Sequence, residues 1–113
     1  MSSVKTIKVT TDFHPRPKGR YVNDAPGCEN TAGEVFREML IKELKENDHV
    51  VVDLTGYNRY GRSFLDEAFG GLISRANFTK AELDDKLTIK HDFVDLFVEI
   101  AYERIQAAEG KRK

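Results

Sequence analysis

The sequence predicts a single α/β layer domain, and two observations carry that prediction. Stretches with strand periodicity alternate along the chain with longer stretches of helical periodicity, from Val4 to Ala108. Strands that alternate with helices need crossover connections, and crossovers build a sheet with helices laid against it. Size agrees: 113 residues, 40% hydrophobic and 33% charged, make one core under a well-solvated surface. A disordered chain would carry far less apolar content.

Val4 to Val9 places Ile7 and Val9 on one face with Lys8 between them, the alternation of a strand buried on one side. Phe13 to Gly19 holds two prolines and a glycine, which forbid regular helix. Arg20 to Val22 is expected to return as a second short strand, and Asn23 to Asn30 reads as a loop. Thr31 and Glu34 have the spacing of a capping box. The amphipathic helix they open buries Val35, Phe36, Met39, Leu40 and Leu44, runs to about Glu46 and stops at Asn47-Asp48.

Val50 to Leu54 is β-branched and apolar on consecutive positions, so it predicts a central strand covered by helices. Thr55 to Arg62 is a tight connection containing two glycines. Ser63 and Asp66 have the spacing of a second capping box, ahead of a helix whose apolar face is Phe64, Leu65, Ala68, Phe69, Leu72 and Ile73. Gly70 and Gly71 inside it cost about 1 kcal/mol each relative to alanine, a cost explained by close approach of a neighbour or by a kink. Thr79 to Asp84 predicts a short turn of helix capped by Thr79 and Glu82, and Leu87 to Lys90 alternates as a strand. Asp92 is the expected cap of the last helix, with Phe93, Leu96, Phe97, Ile100, Ala101 and Ala108 near one stripe. No linker divides residues 1–113, and residues 1–3 and 110–113 are expected to be frayed tails.

Composition narrows the function classes. The formal net charge is −1, which gives no general attraction to nucleic acid, although Lys5, Lys8, Arg16, Lys18 and Arg20 face only Asp12 in the first 22 residues. No apolar run approaches the roughly 18 residues of a membrane span, and Met1 to Lys5 lacks a signal-peptide core. One cysteine excludes an internal disulfide and any multi-thiolate metal site. A cytoplasmic, reduced protein without cofactor is the expectation.

Catalytic signatures are missing. His14, His49 and His91 have no metal-ligand spacing, and Cys28 has no neighbouring base. Gly56 and Gly61 follow a strand and precede a helix but make neither a dinucleotide fingerprint nor a Walker motif. Asp53, Asp66 and Glu67 lie near this junction without forming an assignable acid–base pair, so no enzyme is expected. What the junction holds is Tyr57, Arg59, Tyr60, Arg62 and Ser63. A helix N-terminus with two arginines suits a phosphate or carboxylate; the same turn suits a protein partner; and packing tyrosines beside solvated arginines would explain it equally well.

The run from Val50 to Gly56, followed after six residues by Ser63-Phe64-Leu65-Asp66-Glu67-Ala68-Phe69-Gly70-Gly71-Leu72, resembles the STAS-like domain family of unknown function. Pro17 to Tyr21 and Thr31 to Arg37 are also similar to it, so the likeness covers most of the chain. The resemblance implies a small mixed sheet of about four strands with helices packed mainly on one side. Related STAS domains include anti-sigma-factor antagonists, which bind ATP-binding-fold serine kinases and are switched by phosphorylation at the start of the helix after the central strand. By that likeness Ser63 is the candidate phosphoacceptor, and Tyr57 to Ser63 with the Arg16-to-Tyr21 loop, Arg20 included, is the candidate partner surface. The antagonists carry Asp-Ser-Ser-Gly at this turn, whereas this chain has Gly61-Arg62-Ser63-Phe64. A partner with a histidine-kinase-type ATPase fold, or another signalling protein, is implied. The rival expectation is a small anion- or nucleotide-binding domain using the helix N-terminus with Arg59 and Arg62.

Overall fold

Val50 and Val52 lie at the centre of the molecule, on the middle strand of a three-stranded parallel sheet in the order β1-β2-β3. The computed structural model describes residues 3–24 and 26–111. The strands are β1 (Val4–Lys8), β2 (His49–Asp53) and β3 (Leu87–Lys90). Ile7, Val52 and Ile89 are in register, as are Lys5, Val50 and Leu87. Because side chains alternate across a strand, these residues share one face, and five of the six are buried on it. On the other face, the row Thr6, Val51, Thr88 is exposed, half-buried and exposed.

The sheet thus has three strands rather than about four, and it is parallel rather than mixed. Arg20 to Val22, the expected extra strand, is a turn. The Asp24 carboxylate accepts the amides of Arg20 and Tyr21 at 2.8 and 3.0 Å, and Glu34 accepts that of Val22 at 2.8 Å. With their donors held by side chains, these residues have no ladder to join.

The helices are α1 (Gly33–Glu46), α2 (Arg62–Leu65), α3 (Gly71–Ser74), α4 (Lys80–Lys86) and α5 (Asp95–Lys111). A π turn, Asp66–Gly70, joins α2 to α3, and the Gly71 amide closes it on the Asp66 carbonyl. Both explanations for the glycine pair hold here. A Cβ on Gly70 would sit 3.1 Å from the Arg104 carbonyl, and one on Gly71 would sit 2.9 Å from an Arg37 nitrogen. The widened turn is where this helix meets α1 and α5.

Phe36, Leu40 and Leu44 of α1 and Phe64, Leu65, Ala68, Phe69 and Leu72 of the 62–74 segment fill the core. Phe36 is its aromatic hub, with ring centroids 5.2 Å from Phe13 and 6.0 Å from both Phe64 and Phe69. The Thr79–Glu82 capping box on α4 is formed.

Other caps differ from expectation. The N-cap of α1 is Ala32; the Thr31 hydroxyl donates instead to the Lys18 carbonyl at 3.0 Å. The last helix starts at Asp95, and its preceding amides, Phe93 and Val94, donate to Nδ1 of buried His91 rather than to Asp92, whose carboxylate holds Lys90. In this helix Phe97, Ala101 and Ile105 face inward, while Leu96 within it and Phe93 before it are 57% and 82% exposed. At the chain ends, Ser3 is bonded to Asp48 and Gly110 and Lys111 complete α5. Met1, Ser2, Arg112 and Lys113, the remainder of the expected tails, lie outside the described residues. Among the described residues no helix is long and apolar enough to cross a membrane.

Candidate functional site

The connection from β2 into α2 is anchored at both ends. Asp53 closes the strand and its carboxylate accepts the Thr55 amide at 3.0 Å. Burial alone would raise this carboxyl; the hydrogen bonds from Thr55 and the charges of Lys90 and Lys8 outweigh it and hold the group below its ordinary value of 3.8. The Thr55 hydroxyl then accepts the Asp92 amide at 2.9 Å, and His91 Nε2 reaches the Tyr57 carbonyl at 3.1 Å. Since His91 Nδ1 accepts two amides, its proton sits on Nε2 and is the one donated to Tyr57. The turn and the start of α5 are therefore one assembly.

Asp24 is lowered too, by the amides of Tyr21 and Arg20. Both carboxyls bind protons less readily folded than unfolded. Their contribution to stability is thus complete above about pH 4 and is lost as the pH falls through the lower folded values. Urea titrations are expected to show midpoints dropping below about pH 4, with a smaller drop in Asp53→Asn. An identical drop in both proteins would contradict this reading of Asp53.

The residues singled out around the turn go to different places. Tyr60 is a core residue: it is 5% exposed, packs on Phe64 and Phe97, and donates its hydroxyl to the Leu54 carbonyl at 2.7 Å. Burial, reinforced by the Asp53 charge, holds that hydroxyl well above the usual phenol range. Tyr57 lies half-buried, edge-on to Tyr60 with centroids 5.1 Å apart. Arg62 pairs with Glu103 of α5 at 2.5 Å. Arg59 turns the other way, toward the proline-rich loop, and lines a cavity with Tyr57, His14, Arg16, Lys18 and Thr31. Arg20 is elsewhere again, 2.7 Å from Asp66. The two arginines of the expected anion site thus engage different neighbours.

Ser63 is the second residue of α2, not its cap. Gly61 is the N-cap, extended and without a side-chain bond, and its carbonyl accepts the Leu65 amide at 3.1 Å. Ser63 is exposed and its hydroxyl has no hydrogen bond among the described residues. Asp66, the other half of the expected box, is drawn to Arg20. Ser63→Ala is accordingly expected to change the unfolding free energy by no more than about 0.5 kcal/mol, against the roughly 1 kcal/mol of a lost cap. A chemical denaturation pair decides between them.

The start of α5, which the turn is bonded to, carries exposed apolar side chains. Leu96 and Glu103 are two turns apart on one side of α5, and Glu103 holds Arg62, the residue before Ser63. Phe93 stacks edge-on over His91 at 6.5 Å, and His91 carries the turn. Periodicity had buried Phe93 and Leu96; only the start of α5 two residues past Phe93 shows them as surface.

A second feature was not legible at all. Glu67, 3% exposed, is the hub of a charge cluster: Arg37 pairs with its Oε2, Arg75 reaches the same oxygen at 2.7 Å, and Arg20 reaches Oε1 at 3.4 Å. Arg104 lies 3.9 Å from neighbouring Asp66. Among the described residues no group of three or more His, Cys, Asp or Glu is placed to hold a metal ion.

A family model described as a STAS-like domain of unknown function matches residues 32–92, more than half of the chain. No curated protein and no solved structure matches it.

Proposed function

The chain belongs to the STAS-like domains of unknown function, and from that premise we propose that it is a non-enzymatic regulatory module that binds a protein partner. The surface is the turn 57–63 together with the start of α5. The partner is a protein with the ATP-binding fold of a serine kinase, and Ser63 is the switch. The observation that carries this reading is an exposed, unbonded serine at the second position of the helix after the central strand, in a domain whose α5 start, bonded to the same turn, exposes Phe93 and Leu96. Exposed apolar side chains on an otherwise charged surface mark where another surface sits.

Phosphorylation would transfer the γ-phosphoryl of ATP to Ser63 Oγ, releasing ADP and the hydroxyl proton. The product carries about −1.5 to −2 charge. It would compete with Glu103 for Arg62 and add a strongly hydrated group to the proposed surface. Both effects oppose docking of the unphosphorylated interface.

Affinity capture from the native host tests this with wild type and Ser63→Asp side by side. An ATP-binding-fold protein recovered by wild type and lost from folded Ser63→Asp is the expected result. Recovery by both proteins would leave a binding module without the serine switch; recovery of no such protein would remove the proposal.

A further inference from the structure

We infer that the cavity between the proline-rich loop and the Tyr57–Arg59 turn binds a small organic diphosphate. It is an open cleft of about 700 Å³, within the size range of small-molecule sites. Its cations are Arg16, Lys18 and Arg59, and no carboxylate lines it. None of the three has an ion pair among the described residues, although the protein matches charges closely elsewhere. The larger arginine cluster makes the contrast: its cavity of about 630 Å³ is lined by Arg20, Arg75 and Arg104, but also by Asp66 and Glu67, which neutralise them.

The loop is built to hold these charges outward. Pro17 is buried, so Arg16 and Lys18 on either side of it both face solvent. Thr31, 5% exposed, fixes the segment from behind: its hydroxyl donates to the Lys18 carbonyl at 3.0 Å, and its carbonyl accepts the Lys18 amide at 3.0 Å. His14, which also lines the cavity, accepts the Arg16 amide on Nδ1 at 3.0 Å, which leaves Nε2 as the ring's donor. Cations without a carboxylate partner, carried on a backbone held in place, are what recognise phosphate oxygens. Cations from two loops, more than one phosphate of about −1.5 to −2 charge can satisfy, favour a diphosphate. The half-buried Tyr57 ring offers an apolar wall for the organic part. The site shares Tyr57 and Arg59 with the turn but not Ser63 or α5, and its occupancy does not depend on a protein partner.

Calorimetric titration of the purified chain, at near-physiological salt without divalent cations, uses inorganic diphosphate and ADP as probes. One saturable site is expected for each. Loss of a charged hydrogen bond predicts at least about tenfold weaker binding in Arg59→Gln and in Arg16→Gln/Lys18→Gln, and unchanged binding in Arg75→Gln. These are exposed positions, so the variants are expected to fold. Absence of binding by either probe at about 1 mM would overturn the site. Weakening by Arg75→Gln but not by Arg59→Gln would overturn its location, and binding of inorganic diphosphate without ADP would overturn the organic ligand.

Discussion

Replacing Glu67 with leucine is expected to lower the unfolding free energy by about 3–5 kcal/mol, the cost of leaving a buried charge without its partner. Glu67 is the shared counter-ion of Arg37, Arg75 and Arg20. Arg75 is half exposed and can turn to water, but the Arg37 side chain is 9% exposed and wedged beside Gly71. Among the described residues its only other carboxylate is Glu38 on the surface at 3.7 Å, and its Nε has no hydrogen bond there. Arg37 cannot follow the water. The double variant Arg37→Met/Glu67→Leu removes both charges, and apolar replacement of a buried pair is often close to neutral. It is therefore expected to recover much of the loss. Urea denaturation of the three proteins decides: a single variant costing less than about 1 kcal/mol, or a double variant no better than the single, would contradict the assignment of Glu67 as the hub.

Phe64→Ala is the second large effect, about 3–5 kcal/mol for deleting a fully buried phenyl ring. Phe64 is 0% exposed and its ring lies 6.0 Å from Tyr60 and from Phe36, and 6.3 Å from Phe13. It is also the residue after Ser63, so the same ring that fills the core fixes the start of α2 on the surface. The variant should lose partner binding in proportion to its unfolded fraction. The measurement is a denaturation curve with binding at a temperature where the variant remains folded. A cost below about 2 kcal/mol would show that the site collapses around the missing ring, as poorly packed sites do.

How much of this was legible in the sequence follows from the range of the forces involved. The Thr79–Glu82 box is made by residues three apart, and it is formed as its spacing implies. Thr31 and Ser63 carry the same signature and do not cap. Thr31 is taken by a carbonyl 13 residues upstream, and Asp66 by an arginine 46 residues upstream. A local motif loses to a distant partner, and spacing holds no information about that partner. The short strand expected at Arg20 to Val22 fails for the same reason: side-chain carboxylates of Asp24 and Glu34 hold the amides a ladder would need.

Periodicity located the core of α1 well, because Phe36, Leu40 and Leu44 repeat with one clear phase. On α5 the phase is ambiguous. Apolar residues occupy several sides of that helix, and burial of Phe97, Ala101 and Ile105 leaves Leu96 outside. The strand-to-helix turn was legible as a place where chemistry-bearing residues gather. Which of them reach the surface was not: Tyr60 and Arg59 are neighbours in sequence, yet one ends in the core and the other on the rim of a cavity.

The most direct test is the affinity of the purified chain for the ATP-binding-fold protein proposed as its partner, measured for wild type and for Phe93→Ser/Leu96→Ser. Both side chains are exposed, so the double variant keeps its core and its fold. If this patch lies at the centre of the interface, binding weakens by at least about tenfold, the loss expected when apolar anchors are removed. Equal affinity in the two proteins would contradict it and place the partner on another face of the domain.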